Sequence, residues 1–68
     1  MKAFLANRVT PLLVSDRALM ERWKKAAASE KLIAKSKNGE NWVIVLDEDL
    51  AKTLVERGLP FEEWEEEA

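Results

Sequence analysis

The 68-residue sequence has no cysteine, no histidine and no tyrosine, and only two glycines and two prolines. Without cysteine, neither disulfides nor thiolate-bound metals can stabilise the fold. A chain of this length therefore relies on packing or on association with a second copy of itself. Without histidine or cysteine, the usual general bases and nucleophiles reduce to carboxylates and lysines. The three serines have no histidine to activate them, and two glycines are too few for a glycine-rich phosphate loop. We therefore predict a protein that is not an enzyme and that uses no cofactor and no metal.

Long hydrophobic runs are also missing. The longest uninterrupted apolar run is Trp42 to Leu46, far below the roughly 20 residues that span a bilayer. The apolar start after Lys2 ends at Asn7, too early for the hydrophobic region of a signal peptide. We therefore expect no membrane partner and a cytoplasmic location, in a cell or in an infected host. The length predicts one domain spanning 1–68.

Two segments have the period of amphipathic helices. Asp16, or the serine before it, is a suitable N-cap, and apolar residues recur at helical spacing from Leu19 to Ala27. This pattern predicts a helix over 16–29. Asp47 is the expected N-cap of a second helix over 48–57, whose first turn holds acids that complement the helix dipole.

The second predicted helix is followed by a stop signal and then by an acidic tail. Gly58 is expected in the left-handed conformation that ends a helix, and Pro60 prevents continuation. The same proline suits the first turn of a short acidic C-terminal helix within 60–68, with Phe61 and Trp64 on one face. Its end should fray, because glutamates at a helix C-terminus oppose the dipole.

Asn38-Gly39 separates two runs of strand character and predicts a β-hairpin, because a type I′ turn needs positive φ at both central residues. The two-residue loop fixes the register, in which the expected pairs are Lys37 with Glu40, Lys35 with Trp42, Ile33 with Ile44, and Lys31 with Leu46. The other face carries no charge and should meet the helices; it holds Leu32, Ala34, Val43 and Val45.

Strand 42–46 is apolar on both faces, which favours a central position in the sheet. The N-terminal segment is expected to form a strand near 2–8 on its far side; alternatively, the outer face of 42–46 is an interface. The Thr10-Pro11 step disfavours a helix, so 12–14 is interpreted as a buried connection or a second short strand. We therefore predict an α+β fold of order β-α-β-β-α-(α), with a small antiparallel sheet, two main helices and the acidic C-terminal helix.

Charge is divided unevenly along the chain. Residues 1–37 hold nine lysines and arginines against three acids, a balance of +6, whereas residues 38–68 hold two against ten, a balance of −8. Such asymmetry creates opposed surface fields, unless the two halves lie together and neutralise each other. The net charge of −2 therefore hides two candidate surfaces.

The acid-rich half predicts a protein-binding surface. Glutamates with aromatic anchors can dock on a basic, nucleic-acid-binding protein, since the carboxylates imitate phosphates and the aromatics supply buried contacts. Small acidic phage proteins that inhibit restriction or CRISPR enzymes have this general character. We predict a non-enzymatic protein-binding module of this anti-restriction or anti-CRISPR type, with a basic protein as partner. The predicted partner-binding residues are Asp47, Glu48, Asp49, Phe61, Glu62, Glu63, Trp64, Glu65 and Glu66.

Several alternatives stay open. The aromatic residues of the tail could simply cap the core, and the acids of 47–49 are better explained as a capped first turn than as a cation site. A structural subunit of a larger assembly is a further hypothesis, supported by the doubly apolar strand.

A small nucleic-acid-binding regulator, for which a homodimer is the expected state, would instead use the basic half. Its predicted residues are Arg17, Arg22, Lys24, Lys25, Lys35 and Lys37.

The segment from Lys35 to Leu59 resembles the swapped-hairpin DNA-binding domains of bacterial transition-state regulators and antitoxins. Those domains pair a Lys-x-Gly turn with a strand and a short helix ending Leu-Gly-Leu. Here Lys37-Asn38-Gly39, Val43-Ile44-Val45 and residues 54–59 are similar. The resemblance implies DNA binding, but the sequence departs from the pattern at 46–49, where Leu-Asp-Glu-Asp replaces a proline-containing step.

Overall fold

In the computed structural model, which describes residues 1–65, three helices lie on one face of a four-stranded antiparallel sheet. The α+β class and the antiparallel sheet are therefore confirmed, with the element order β-α-α-β-β-α-β. The elements are β1 (Lys2–Leu5), α1 (Ala6–Ser15), α2 (Arg17–Ala28), β2 (Leu32–Lys37), β3 (Glu40–Val45), α3 (Glu48–Glu56) and β4 (Phe61–Glu63).

The predicted hairpin is confirmed in both turn type and register. Asn38 and Gly39 have φ of 54° and 77°, the positive values that a type I′ turn requires. β2 and β3 pair as expected, from Lys37 opposite Glu40 to Leu32 opposite Val45. The amide of Leu46 donates to the Lys31 carbonyl at 2.8 Å and extends the ladder by one residue.

The sheet order is β2-β3-β1-β4, so β3 is an internal strand, as its apolar faces predicted. β1 pairs with its far side, with Lys2 opposite Val45 and Leu5 opposite Trp42. The N-terminal strand is therefore confirmed, although it ends at Leu5 rather than near residue 8.

The interpretation of 6–15 as strand and connection is wrong, since these residues form α1. Pro11 lies inside this helix and removes one backbone hydrogen bond, which normally costs about 3 kcal/mol. Tertiary packing outweighs that cost, because Val9 is 2% exposed in the core and Leu12 and Leu13 pack against it.

The two predicted main helices are confirmed, together with their caps. The Asp16 carboxylate accepts from the Leu19 amide and the Asp47 carboxylate from the Leu50 amide, each at 3.1 Å. Gly58, with φ of 90°, ends α3, and its amide donates to the Val55 carbonyl at 2.9 Å.

The predicted C-terminal helix is wrong over the described residues. Residues 61–63 form β4 instead, with Phe61 opposite Phe4 on the outer edge of β1. An extended chain sends successive side chains to opposite faces, so Glu62 and Glu63 each reach a different lysine rather than crowding one helix end. The part of the prediction that concerns 66–68 lies outside the described residues.

Two apolar clusters form on the two faces of the sheet. The larger lies between sheet and helices and contains Leu32 and Val45, as predicted for that face, whereas Ala34 is exposed. The smaller lies on what we call the helix-free face, where Ala3, Trp42 and Ile44 are buried under side chains that include Trp64. None of the helices within 1–65 is long and apolar enough to cross a bilayer.

Candidate functional site: two grooves beside helix α3

A groove of about 530 Å³, here called the end groove, lies between α3 and one end of the sheet. Its floor is apolar, and four charged side chains form its rim. The floor consists of Met1, Val45, Leu46, Ala51 and Val55, and the rim consists of Lys2, Glu48, Lys52 and Glu63.

The sheet topology brings the two acid-rich segments to this groove. β1 pairs antiparallel with both neighbours, so Lys2 lies opposite Val45 on one side and Glu63 on the other. The chain leaves β3 at Val45 and enters α3 at Glu48. The start of α3 and the end of β4 therefore share one end of the molecule, although 15 positions separate Glu48 from Glu63.

Glu63 is held by positive charge at the rim. Its carboxylate lies 3.4 Å from the Lys2 Nζ and 3.4 Å from the α-amino group of Met1. The hydrogen bond and the charge of Lys2, together with the α-amino group, hold the pKa of the Glu63 carboxyl below its ordinary value of 4.5. The positive charge around Glu63 therefore favours its ionised form.

Glu48 and Asp49 are exposed in the first turn of α3, where they complement the helix dipole. Within 1–65 neither carboxylate forms an ion pair. Lys52 follows Glu48 by four residues, a spacing that favours weak attraction along a helix. Glu48 is therefore the rim carboxylate most available to a partner, whereas Asp49 does not line the end groove.

Two large apolar side chains are exposed at the end groove, one from a residue of its floor, Met1, and one from a residue beside it, Phe61. Met1 is 45% exposed and Phe61 is 41% exposed, and both belong to the small set of large hydrophobic residues left in contact with solvent within 1–65. The Lys2 Nζ lies 5.4 Å from the centre of the Phe61 ring, which places this ring beside the rim. A partner could bury both side chains together with the groove floor.

The structure divides the predicted partner-binding residues. Asp47 caps α3 through its carboxylate and turns away from the end groove. Glu62 lies on the helix-free face, 3.2 Å from the Lys37 Nζ. Glu65 is exposed two residues after Glu63, and Glu66 lies outside the described residues.

Trp64 also lies on the helix-free face rather than beside Phe61. Its ring meets Trp42 edge-on, with 5.7 Å between ring centroids, and lies 5.2 Å from the Lys37 Nζ. This geometry is typical of a packed aromatic pair that covers a small apolar cluster. In this position Trp64 acts as a cover for Trp42.

A second groove, here called the basic groove, occupies about 240 Å³ on the other side of the α3 N-terminus. It gathers Arg22 and Lys25 from α2 with Lys31 from the turn before β2. The remaining lining residues are Ala26, Ser29 and Asp47. Sequence periodicity indicates the two cations of α2, but only the turn that reverses the chain brings Lys31 to them.

The other residues of the predicted nucleic-acid surface lie elsewhere. Arg17 and Lys24 are exposed on α2 outside the basic groove. Lys35 and Lys37 project from β2 to the helix-free face, since they share the side of the ladder that holds Trp42. The basic groove therefore brings together two of the six predicted cations, and a neighbouring groove along α2 brings Arg22, Lys24 and Lys25 together beside Glu21.

Within 1–65, acidic side chains form no cluster arranged to hold a metal ion. Comparison of the chain with protein-family models, curated proteins and solved structures gives no significant match. The DNA binding implied by the resemblance of 35–59 to the swapped-hairpin regulators stays a prediction.

Proposed function

We propose that the protein is a non-enzymatic protein-binding module whose binding surface is the end groove and its flanking side chains. The observation that carries this proposal is the meeting of Glu48 and Glu63 over an apolar floor. The two acid-rich segments were expected to act together, and antiparallel pairing supplies the geometry for it.

The composition of the surface favours a protein partner over a nucleic acid. An apolar floor with exposed Met1 and Phe61 supplies the desolvated centre that protein interfaces need. Around the groove, the carboxylates of Glu48 and Glu63 face the side chains of Lys2 and Lys52 and the α-amino group of Met1. Glu63 pairs with Lys2 and with that amino group, so Glu48 is the rim carboxylate without an ion pair within 1–65. A protein segment that brings a cation to Glu48 and an apolar side chain to the floor matches this surface, whereas a nucleic-acid backbone would leave the apolar floor uncovered.

The test uses two charge-matched double variants in affinity capture from a lysate of the native host. The groove variant is Glu48→Gln and Glu63→Gln, which changes the two carboxylates that line the end groove. The control variant changes two exposed acids away from the end groove, namely Glu21→Gln and Glu56→Gln.

The proposal predicts that the groove variant loses a basic protein that both the wild type and the control variant retain. Because both variants raise the net charge by two, this difference cannot come from overall charge. Equal retention by the groove variant would contradict the proposal. Loss with both variants would mean that net charge, and not the end groove, determines binding.

The narrower hypothesis, an inhibitor that phages or mobile elements direct at a nucleic-acid enzyme, stays a prediction. It is tested by adding the purified chain to the captured enzyme and measuring cleavage. The cytoplasmic location, the dimeric regulator and the structural-subunit hypotheses likewise stay predictions.

A further inference from the structure

The basic groove has features of an anion-binding site that the protein-binding proposal does not use. Arg22, Lys25 and Lys31 converge on it from α2 and from the turn before β2. Within 1–65 none of these three cations forms an ion pair, although acids elsewhere do pair with Lys2, Lys37 and Arg57. The three charges are therefore not neutralised locally.

Asp47 is the only carboxylate among the described lining residues of the basic groove. Its carboxylate accepts the Leu50 amide at 3.1 Å as the cap of α3. Three cations and one carboxylate leave the groove with a balance of +2. The Ser29 hydroxyl adds a neutral hydrogen-bond donor beside them.

Two hydrogen bonds and one small side chain shape the basic groove. The Arg22 guanidinium donates to the Thr53 hydroxyl at 2.9 Å, and that hydroxyl donates to the Asp49 carbonyl at 3.0 Å. These two hydrogen bonds hold the Arg22 guanidinium against α3. They leave its remaining N–H groups available to a ligand. At the floor, Ala26 provides a small side chain that is 4% exposed.

The turn after α2 positions the third cation. Glu30 has φ of 57°, and the amides of Glu30 and Lys31 donate to the last carbonyls of α2 at 3.1 and 2.9 Å. This left-handed turn reverses the chain, so that Lys31 comes back beside Lys25.

We propose that the basic groove binds a phosphate group, held by Arg22, Lys25, Lys31 and Ser29. Charge-assisted bonds from two lysines and a guanidinium are the contacts that phosphate oxygens prefer. The groove accepts either a free phosphate or phosphate ester, or a phosphate of a nucleic-acid backbone, since both present the same oxygens.

The test is a titration of the ¹⁵N-labelled chain with inorganic phosphate, followed by NMR at constant ionic strength set with chloride. The expected result is saturable shifts of the Ser29 and Lys31 amides and of the Arg22 side chain. The double variant Lys25→Gln, Lys31→Gln should bind phosphate at least about tenfold more weakly, as expected for the loss of charged hydrogen bonds. Both lysines are exposed, so we expect these substitutions to leave the fold unchanged. The variant also keeps the bond from Arg22 to Thr53.

The matched control is Arg8→Gln, Lys35→Gln, which removes two exposed cations outside the groove and should leave phosphate binding unchanged. A second titration with a single-stranded oligonucleotide distinguishes the sources. Tighter, salt-sensitive binding than that of inorganic phosphate identifies a nucleic-acid backbone, and no gain identifies a free phosphate or an ester.

The proposal is overturned if phosphate causes no shifts, if shifts appear on lysines over the whole surface, or if both double variants bind equally. Its failure is separable from failure of the protein-binding proposal, because the Lys25→Gln, Lys31→Gln variant keeps every residue of the end groove.

Discussion

Glu30 shows how a single backbone conformation shapes a surface. It occupies the left-handed position after α2, which glycine normally fills because it has no Cβ to clash. We predict that Glu30→Gly raises the free energy of unfolding by about 0.5–1 kcal/mol. The measurement is urea unfolding, with Glu30→Ala as the control. The alanine variant should show no comparable gain, and equal stabilisation by both would attribute the effect to the lost charge.

Glu63 gives a pH dependence at the same scale. Its pKa is lowered in the folded state, so its contribution to stability is fully present above the ordinary value of 4.5 and is lost as the pH falls through the lowered value. We predict that the difference in stability between the wild type and Glu63→Gln shrinks on acidification. Urea unfolding of both proteins at several pH values measures it. A difference that does not change with pH would contradict the ion pair with Lys2.

Helix α1 is the element in which tertiary packing most clearly outweighs local preference. Pro11 is exposed, so its ring contributes little packing, while its missing N–H weakens the helix. We predict that Pro11→Ala raises the free energy of unfolding by about 1–3 kcal/mol. The gain is reduced by the greater conformational entropy that the unfolded chain has without proline. Thermal unfolding measures it. The exposed substitution Arg8→Ala should change stability by less than about 0.5 kcal/mol, and a loss of stability in Pro11→Ala would refute this explanation.

Asp16 joins two elements. One carboxylate oxygen caps α2 through the Leu19 amide, and the other lies 2.6 Å from Arg57 at the end of α3. We predict that Asp16→Ala costs about 1–2 kcal/mol because it removes the cap and the ion pair. Asp16→Asn, which can keep the cap, should cost less than about 1 kcal/mol.

Arg57→Gln is the matched variant for this pair. It should cost about as much as Asp16→Asn in denaturant unfolding, and the two costs should not add in the double variant. Additive costs would show that the Asp16–Arg57 contact contributes nothing to stability.

The elements that the sequence predicts well have local signals of their own. α2 and α3 combine helical periodicity with a capping aspartate, and the hairpin has Asn38-Gly39. α1 and β4 have no such signals. α1 exists because Val9 is buried by tertiary contacts, and β4 exists because β1 offers an unpaired edge to Phe61. Both depend on partners distant in the chain, which periodicity cannot reveal.

At the scale of the whole molecule, the candidate surfaces were predicted only in part. The sequence divides into a basic and an acidic half, but within 1–65 the halves meet at four ion pairs, including Lys37 with Glu62 and Lys2 with Glu63. The place of Lys2 and Lys52 at the end groove depends on strand order, which the sequence does not encode locally. Phe61 and Trp64 lie on opposite faces of the sheet because successive side chains of an extended chain alternate between the faces. The sequence predicts a helix there, with both residues on one face.

We proposed the end groove as the surface that meets a protein partner. Site-specific photo-crosslinking tests this directly, with a photoreactive amino acid placed in turn at Lys52 in the groove, at Lys24 on α2 and at Lys35 on the helix-free face. All three side chains are exposed, so differences in access do not decide the result. We expect a partner from the native host to be crosslinked from position 52 and not from positions 24 or 35. Crosslinks from position 24 or 35 with none from position 52 would contradict it.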